Sequence, residues 1–156
     1  ISGGTLRMSS DEYFENHCNE KFDVIFIDGD HRCRQVYRDI QNALNVLNDG
    51  GIIVCHDCFP PSASMESEEN NFCGNAWKAF VHFRRVQELD MACGHFDVGC
   101  GVIRKRPNSN PIADMDPVTL ADPLSTLDFK YSELSANAGI WLNLMKWENL
   151  VAWLGS

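Results

Sequence analysis

Phe22-Asp23-Val24-Ile25-Phe26-Ile27-Asp28-Gly29-Asp30-His31 is the stretch that decides the fold. Five of the six residues from Phe22 to Ile27 are apolar, without the alternation of a half-solvated strand. The pattern predicts a strand buried on both faces, the habit of parallel sheets covered by helices. Ligands of such sheets collect beyond the carboxyl ends of the strands. Asp28, Asp30 and His31 stand there, and Gly29 lets the backbone turn tightly toward a ligand.

The motif repeats one strand later. Val36, Ile40, Ala43, Leu44 and Leu47 share one face at helical spacing. Asp49-Gly50-Gly51 stops that helix, because glycine accepts the left-handed conformation that helix ends commonly need. Ile52 to Cys55 then forms a second buried strand that ends in His56-Asp57. Strand, helix, strand is the crossover unit of a parallel pair. Neighbouring strands lie roughly 4.8 Å apart, so Asp28 and Asp57 can converge on one cation.

FDVIFIDGDH, the helix VYRDIQNALNVLNDGG and the strand IIVCHD together resemble the fourth and fifth strands of class I S-adenosylmethionine-dependent methyltransferases. The nearest branch holds sugar and macrolide O-methyltransferases. The likeness is strong over residues 22–58 and weaker to Arg106, with Asn75 to Arg85 as the next helix and Gly94 to Arg104 as a closing antiparallel hairpin. Beyond Arg106 only the tryptophan-rich final helix is similar. The resemblance implies an α/β fold, a partial Rossmann-like sheet of family strands 4, 5, 7 and 6 with flanking helices. Residues 1–106 would form the partial methyltransferase domain. Residues 107–156 would be a proline-rich arm and a carboxyl-terminal helix packed on it.

Thr5 to Ser10 reads as the end of the family's third strand, and Ser9 with Glu12 makes a capping box for a short helix. The family's glycine-rich turn and ribose-binding acid have no counterpart, since 21 residues precede Phe22 and Ile1-Ser2-Gly3-Gly4 is not a GxGxxG turn. A chain that begins with isoleucine is therefore expected to be the carboxyl-terminal part of a longer enzyme, inactive alone and weak in cofactor binding. In the family sheet order 3-2-1-4-5-7-6, loss of the first strands leaves the Phe22 strand as a bare edge. Such edges pair with other chains, and a homo-oligomer is expected.

The resemblance also implies roles for residues. Ser9, Asp28 and Gly29 fall on the cofactor side, and Asp28, His56 and Asp57 at the metal. The sugar branch places two adjacent acids where this chain has His56-Asp57. Mg²⁺ prefers oxygen ligands, so the histidine weakens magnesium binding, shifts preference toward Mn²⁺ or Zn²⁺, or abolishes the site. Methyl transfer needs the acceptor hydroxyl to lose its proton, with help from a cation or a positioned base. Asp30 maps to the family's base, whereas His31 is the better chemical match near neutral pH. Either residue can instead cap the helix that follows. The implied cofactors are S-adenosylmethionine and Mg²⁺ or another divalent cation, and the implied partner is a small-molecule methyl acceptor.

A different class stays open. Mixed Asp and His ligands also build metal-dependent hydrolases, which would need further histidines, and this chain offers only His82 and His95 downstream. A catalytically inactive folded fragment is the third reading. His17, His82 and His95 read as structural.

Composition bounds the rest. A chain of 156 residues, 44% hydrophobic, can bury one core. No run approaches the ~20 apolar residues of a membrane helix. A net charge of −9 disfavours nucleic acid, and Arg104-Lys105-Arg106 reads as a solvated strand end. Seven cysteines scattered through strands and helices suit reduced thiols and a cytoplasmic setting. Cys55-His56-Asp57-Cys58 has redox or zinc spacing, but Pro60-Pro61 forbids the helix a redox pair opens, and no second ligand pair follows. Residues 59–73 are either a lid or a surface excursion. Residues 107–126 hold four of the six prolines. Ile140, Leu144, Trp147, Val151 and Leu154 form the stripe of a final helix, with Trp141, Trp147 and Trp153 as core or interface residues.

Overall fold

The computed structural model describes residues 6–67 and 72–156. A short helix α1 (Ser10–Asn16) leads into strand β1 (Phe22–Ile27), helix α2 (Cys33–Val46) and strand β2 (Leu47–Cys55). A 3-10 turn (Ala63–Glu66), helix α3 (Ala76–Phe83) and the hairpin of β3 (Leu89–Gly94) and β4 (Cys100–Lys105) follow. Helix α4 (Tyr131–Trp141), the short strand β5 (Leu144–Met145) and helix α5 (Trp147–Leu154) complete the chain.

The sheet runs β1-β2-β4-β3-β5. β1 and β2 are parallel with Ile27 opposite Cys55, while β4 is antiparallel to both β2 and β3. This is the 4-5-7-6 order that the resemblance implies, extended by β5 at the far end. The helical face is the main core, where Ile53, Cys55, Met91 and Ile103 of the sheet meet Ile40, Trp77, Phe80 and Phe83 of the helices. On the opposite face α5 brings Leu150 onto Ala92 and Val102.

Several expectations need correction. β1 is not buried on both faces: Ile27 is buried, but Val24 and Phe26 are 61% and 59% exposed. Among the described residues no strand pairs with its outer edge, and α5 sits over β3 and β4 rather than β1. The final helix is broken. Asn143 adopts φ 48°, which interrupts the 3.6-residue repeat, and its amide donates to the Met91 carbonyl at 3.1 Å. β5 then joins the sheet, and the anticipated stripe turns outward, with Ile140, Trp147 and Val151 exposed. The basic run is not simply solvated either. Arg106 pairs with the fully buried Asp90, and Arg104 donates to the Trp153 carbonyl at 2.8 Å, so both arginines hold α5.

α2 ends before the glycine pair expected to stop it, for a local reason. α2 ends at Val46, and residues 48–51 bulge between the Phe22–Leu47 and Val24–Ile52 pairs. Gly50 at φ 79° makes that bulge possible. No strand forms over residues 6–9, and residues 1–5 lie outside the described residues, so the third-strand expectation is not met where it can be seen. The proline-rich arm is tied down. Tyr37 donates to the Asp122 carbonyl at 2.6 Å, Thr126 to that of Lys78 at 2.6 Å, and Arg85 to that of Asp116 at 2.8 Å. None of the seven cysteines is in a disulfide, and Cys55 and Cys58 are buried, with thiols that burial pushes up.

Candidate functional site

Parallel pairing at Ile27–Cys55 sets the ends of β1 and β2 side by side, which carries Asp28 and Asp57 to one place. Asp57 reaches it through a left-handed backbone, φ 61°, rare for a non-glycine residue, and is only 5% exposed. Asp28, His31 and Asp57 each offer a ligand atom within 4.8 Å of the others. His31 Nε2 lies 3.4 Å from Asp28 Oδ1 and 3.2 Å from Asp57 Oδ2.

The opposite side of the His31 ring fixes its chemistry. Nδ1 stands 2.8 Å from the Phe72 carbonyl, which can only accept, so Nδ1 carries the hydrogen. In the neutral ring Nε2 then presents a lone pair to two carboxylates. That arrangement is repulsive unless a proton or a metal ion stands between them. The donor set of two carboxylates and one imidazole fits a divalent cation such as Mn²⁺ or Zn²⁺.

The loop before α3 locks this ring. Gly74 has φ 58°, and a side chain there would start 2.5 Å from the His31 carbonyl oxygen. The close approach lets Asn75 N–H donate to that oxygen at 3.1 Å and lets the Asn75 side chain cap α2 at Cys33 N–H, 2.6 Å away. The α2 cap thus comes from a residue distant in sequence. The segment expected to be a lid or an excursion is anchored at both ends of its described part. Tyr131 donates to the Pro60 carbonyl at 3.1 Å and Trp77 to Glu66 at 3.1 Å; residues 68–71 lie outside the described residues.

His56 touches two groups of acids. Nδ1 is 3.4 Å from Asp28 Oδ1 and 3.1 Å from Asp57 Oδ2, and Nε2 is 3.3 Å from Asp97 Oδ2. Burial opposes its protonation, but the Asp57 hydrogen bond and the Asp97 and Asp28 carboxylates outweigh burial and raise its pKa. Asp30 points elsewhere. Its carboxylate accepts from Arg32 N–H at 2.9 Å and pairs with the Arg32 guanidinium, whose hydrogen bonds hold it below the usual carboxylate range.

A cleft of about 680 Å³ opens along the free edge of β1, lined by Ser9, Phe14, Phe26, Asp28, Gly29 and Asp30 among others. The three residues assigned to the cofactor side therefore share one concavity, of the size that roughly suits a small-molecule site. Ser9 also caps α1 by accepting from Glu12 N–H at 3.2 Å. His82 is buried against Tyr37 and Phe83, and His95 packs on Phe59; neither joins the Asp28 cluster. Asp97 was missed by sequence reasoning, because a residue at a hairpin tip carries no local mark of what lies opposite.

The model of a family described as a methyltransferase domain matches residues 4–58, the span from the amino-terminal stretch to the exit of β2. Over these residues the chain is similar to methyltransferase domains, a likeness that implies S-adenosylmethionine as the methyl donor. No curated protein matches. Among the described residues no helix is long and apolar enough to cross a membrane.

Proposed function

We propose that the protein takes part in methyl transfer from S-adenosylmethionine to a hydroxyl of a small molecule, with a divalent cation held by Asp28, His31 and Asp57 and His56 against the same acids. The observation that carries this reading is the His31 ring, hydrogen-bonded to a carbonyl on one side and facing two carboxylates on the other. Bound there, the cation would acidify the acceptor hydroxyl. Asp30 lines the adjoining cleft and is the carboxylate we assign to take the proton, although its pairing with Arg32 lowers its basicity, while His31 serves the cation. S-adenosylmethionine bound in that cleft would supply the methyl group to the deprotonated acceptor oxygen, its carbon–sulfur bond breaking to leave a neutral thioether.

The roles separate experimentally. With labelled S-adenosylmethionine and a panel of polyhydroxylated acceptors, Asp30→Asn should slow methyl transfer by at least ~10²-fold, the usual contribution of a positioned base, and leave Mn²⁺ binding heats unchanged. His31→Asn should reduce both. A rate indifferent to both substitutions would remove the assignment.

The partner of this site is a small hydroxylated molecule rather than nucleic acid, in keeping with a net charge of −9. A second copy of the chain is the occupant we propose for the outer edge of β1, which pairs with no strand among the described residues and where Val24 and Phe26 form an exposed apolar pair. Light scattering should then give a dimer for the wild type and a monomer for Phe26→Lys. A wild-type monomer would dispose of this contact.

A further inference from the structure

The turn between β3 and β4 is the most strained backbone of the described residues. Asp97, Val98 and Gly99 follow one another at φ 45°, 51° and 92°, and Val98 is β-branched, a residue type that resists this region. The conformation is held from outside the hairpin. Cys58 N–H donates to the Gly99 carbonyl at 2.9 Å and Phe59 N–H to that of Val98 at 2.8 Å, so the turn is clamped to the exit of β2. The clamp leaves no room at Gly99, where a side chain would begin 2.3 Å from the Phe59 nitrogen.

This strain sets three donor atoms together. Asp97 Oδ2 lies 3.3 Å from His56 Nε2, and with Cys100 Sγ at the start of β4 the three ligand atoms all stand within 4.8 Å of one another. In tetrahedral zinc sites neighbouring donor atoms are roughly 3.3–3.7 Å apart. The histidine–aspartate pair is already at that spacing, and Asp97, 75% exposed, is free to adjust. Cys100 is neither buried out of reach nor hydrogen-bonded into the sheet by its thiol in any contact observed, unlike the fully buried Cys55 and Cys58.

We propose that His56 Nε2, the Asp97 carboxylate and the Cys100 thiolate form a second, softer cation site that binds Zn²⁺ and shares the His56 ring with the Asp28–His31–Asp57 cluster. One nitrogen, one oxygen and one sulfur make a set that favours zinc over magnesium, with the fourth position open to water or a ligand. Binding sends the thiol proton, and the Nε2 proton where the ring is charged, to solvent. Burial and the Asp97, Asp57 and Asp28 carboxylates push the Cys100 thiol up, and the same negative field draws a cation to it. The two sites differ in softness, so the cluster at Asp28 does not have to be filled for this one to bind.

Co²⁺ reports the thiolate directly, because a cobalt–sulfur bond adds a near-ultraviolet charge-transfer band that nitrogen and oxygen ligands do not produce. Titration of the full chain with Co²⁺ should develop that band, and Zn²⁺ should displace it. Asp28→Asn should keep it, Cys100→Ser should abolish it, and Asp97→Asn should weaken the Co²⁺ affinity at least ~10-fold. Asparagine tolerates the left-handed backbone, so Asp97→Asn remains informative even where Cys100→Ser misfolds. A wild type without the band, a band that survives Cys100→Ser, or an unchanged affinity in Asp97→Asn would overturn the site. Mn²⁺ calorimetry reads the oxygen-rich cluster alone, so the failure of either site is distinguishable from that of the other.

Discussion

Asp57→Asn should weaken Mn²⁺ binding by at least ~10²-fold in calorimetry, more than Asp28→Asn. Outer-sphere partners of metal sites alone are worth 10- to 100-fold, and in the proposed site Asp57 is a direct ligand that also meets both histidines. Asp57 is 5% exposed, whereas the Asp28 side chain is 40% exposed and can be partly replaced by water. The amide keeps the shape of the carboxylate and removes its charge, so His31 Nε2 and His56 Nδ1 lose the acid that both approach most closely. Asparagine also accepts φ 61°, and the strained turn should survive. Equal heats from Asp57→Asn and wild type would eliminate the cation and with it the proposed activation of the acceptor.

Acidification should destabilise the protein through His82. Its ring is fully buried, with Nδ1 beside the Ser125 hydroxyl at 3.2 Å and Nε2 without a hydrogen-bond partner. Burial, with Arg85 nearby and only partly offset by Asp122, lowers its pKa to about 4. A histidine whose folded pKa is depressed is protonated first in the unfolded chain. The stability it secures is complete above the unfolded pKa of about 6.5 and is lost as pH falls toward 4. At 1.36 kcal/mol per unit, the loss by about pH 4.5 comes to about 2–3 kcal/mol. Urea titrations at neutral pH and near pH 4.5 on wild type and His82→Gln should show a smaller drop for the variant by that amount. Parallel drops would mean that the buried ring is not what titrates.

Much of this molecule is legible in its residues. Phe22 to Asp28 and Ile52 to Asp57 announce two parallel strands by apolar runs that end in acids, and the helix between them shows its face by its spacing. These are local signals, set by steric and hydrophobic preferences over a few neighbours. Exposure of β1 was not legible, because it depends on what lies beside the strand, not on the strand. The final helix misleads for a similar reason. Its stripe is continuous, but a left-handed Asn143 bonded to Met91 and Asn110 breaks it, and those partners are 52 and 33 residues away.

The site divides along the same line. The convergence of Asp28 and Asp57 follows from the sequence, since two adjacent parallel strands bring their ends together whatever else the chain does. The tertiary structure alone turns His31 onto both acids through the Phe72 carbonyl, sends Asp30 to Arg32, and sets Asp97 and Cys100 against His56. Each of those outcomes is a contact between segments whose separation along the chain carries no periodicity. Local patterning therefore determined the strands and the acids at their ends, while loop closure, which only the packed fold can decide, chose the groups that face them.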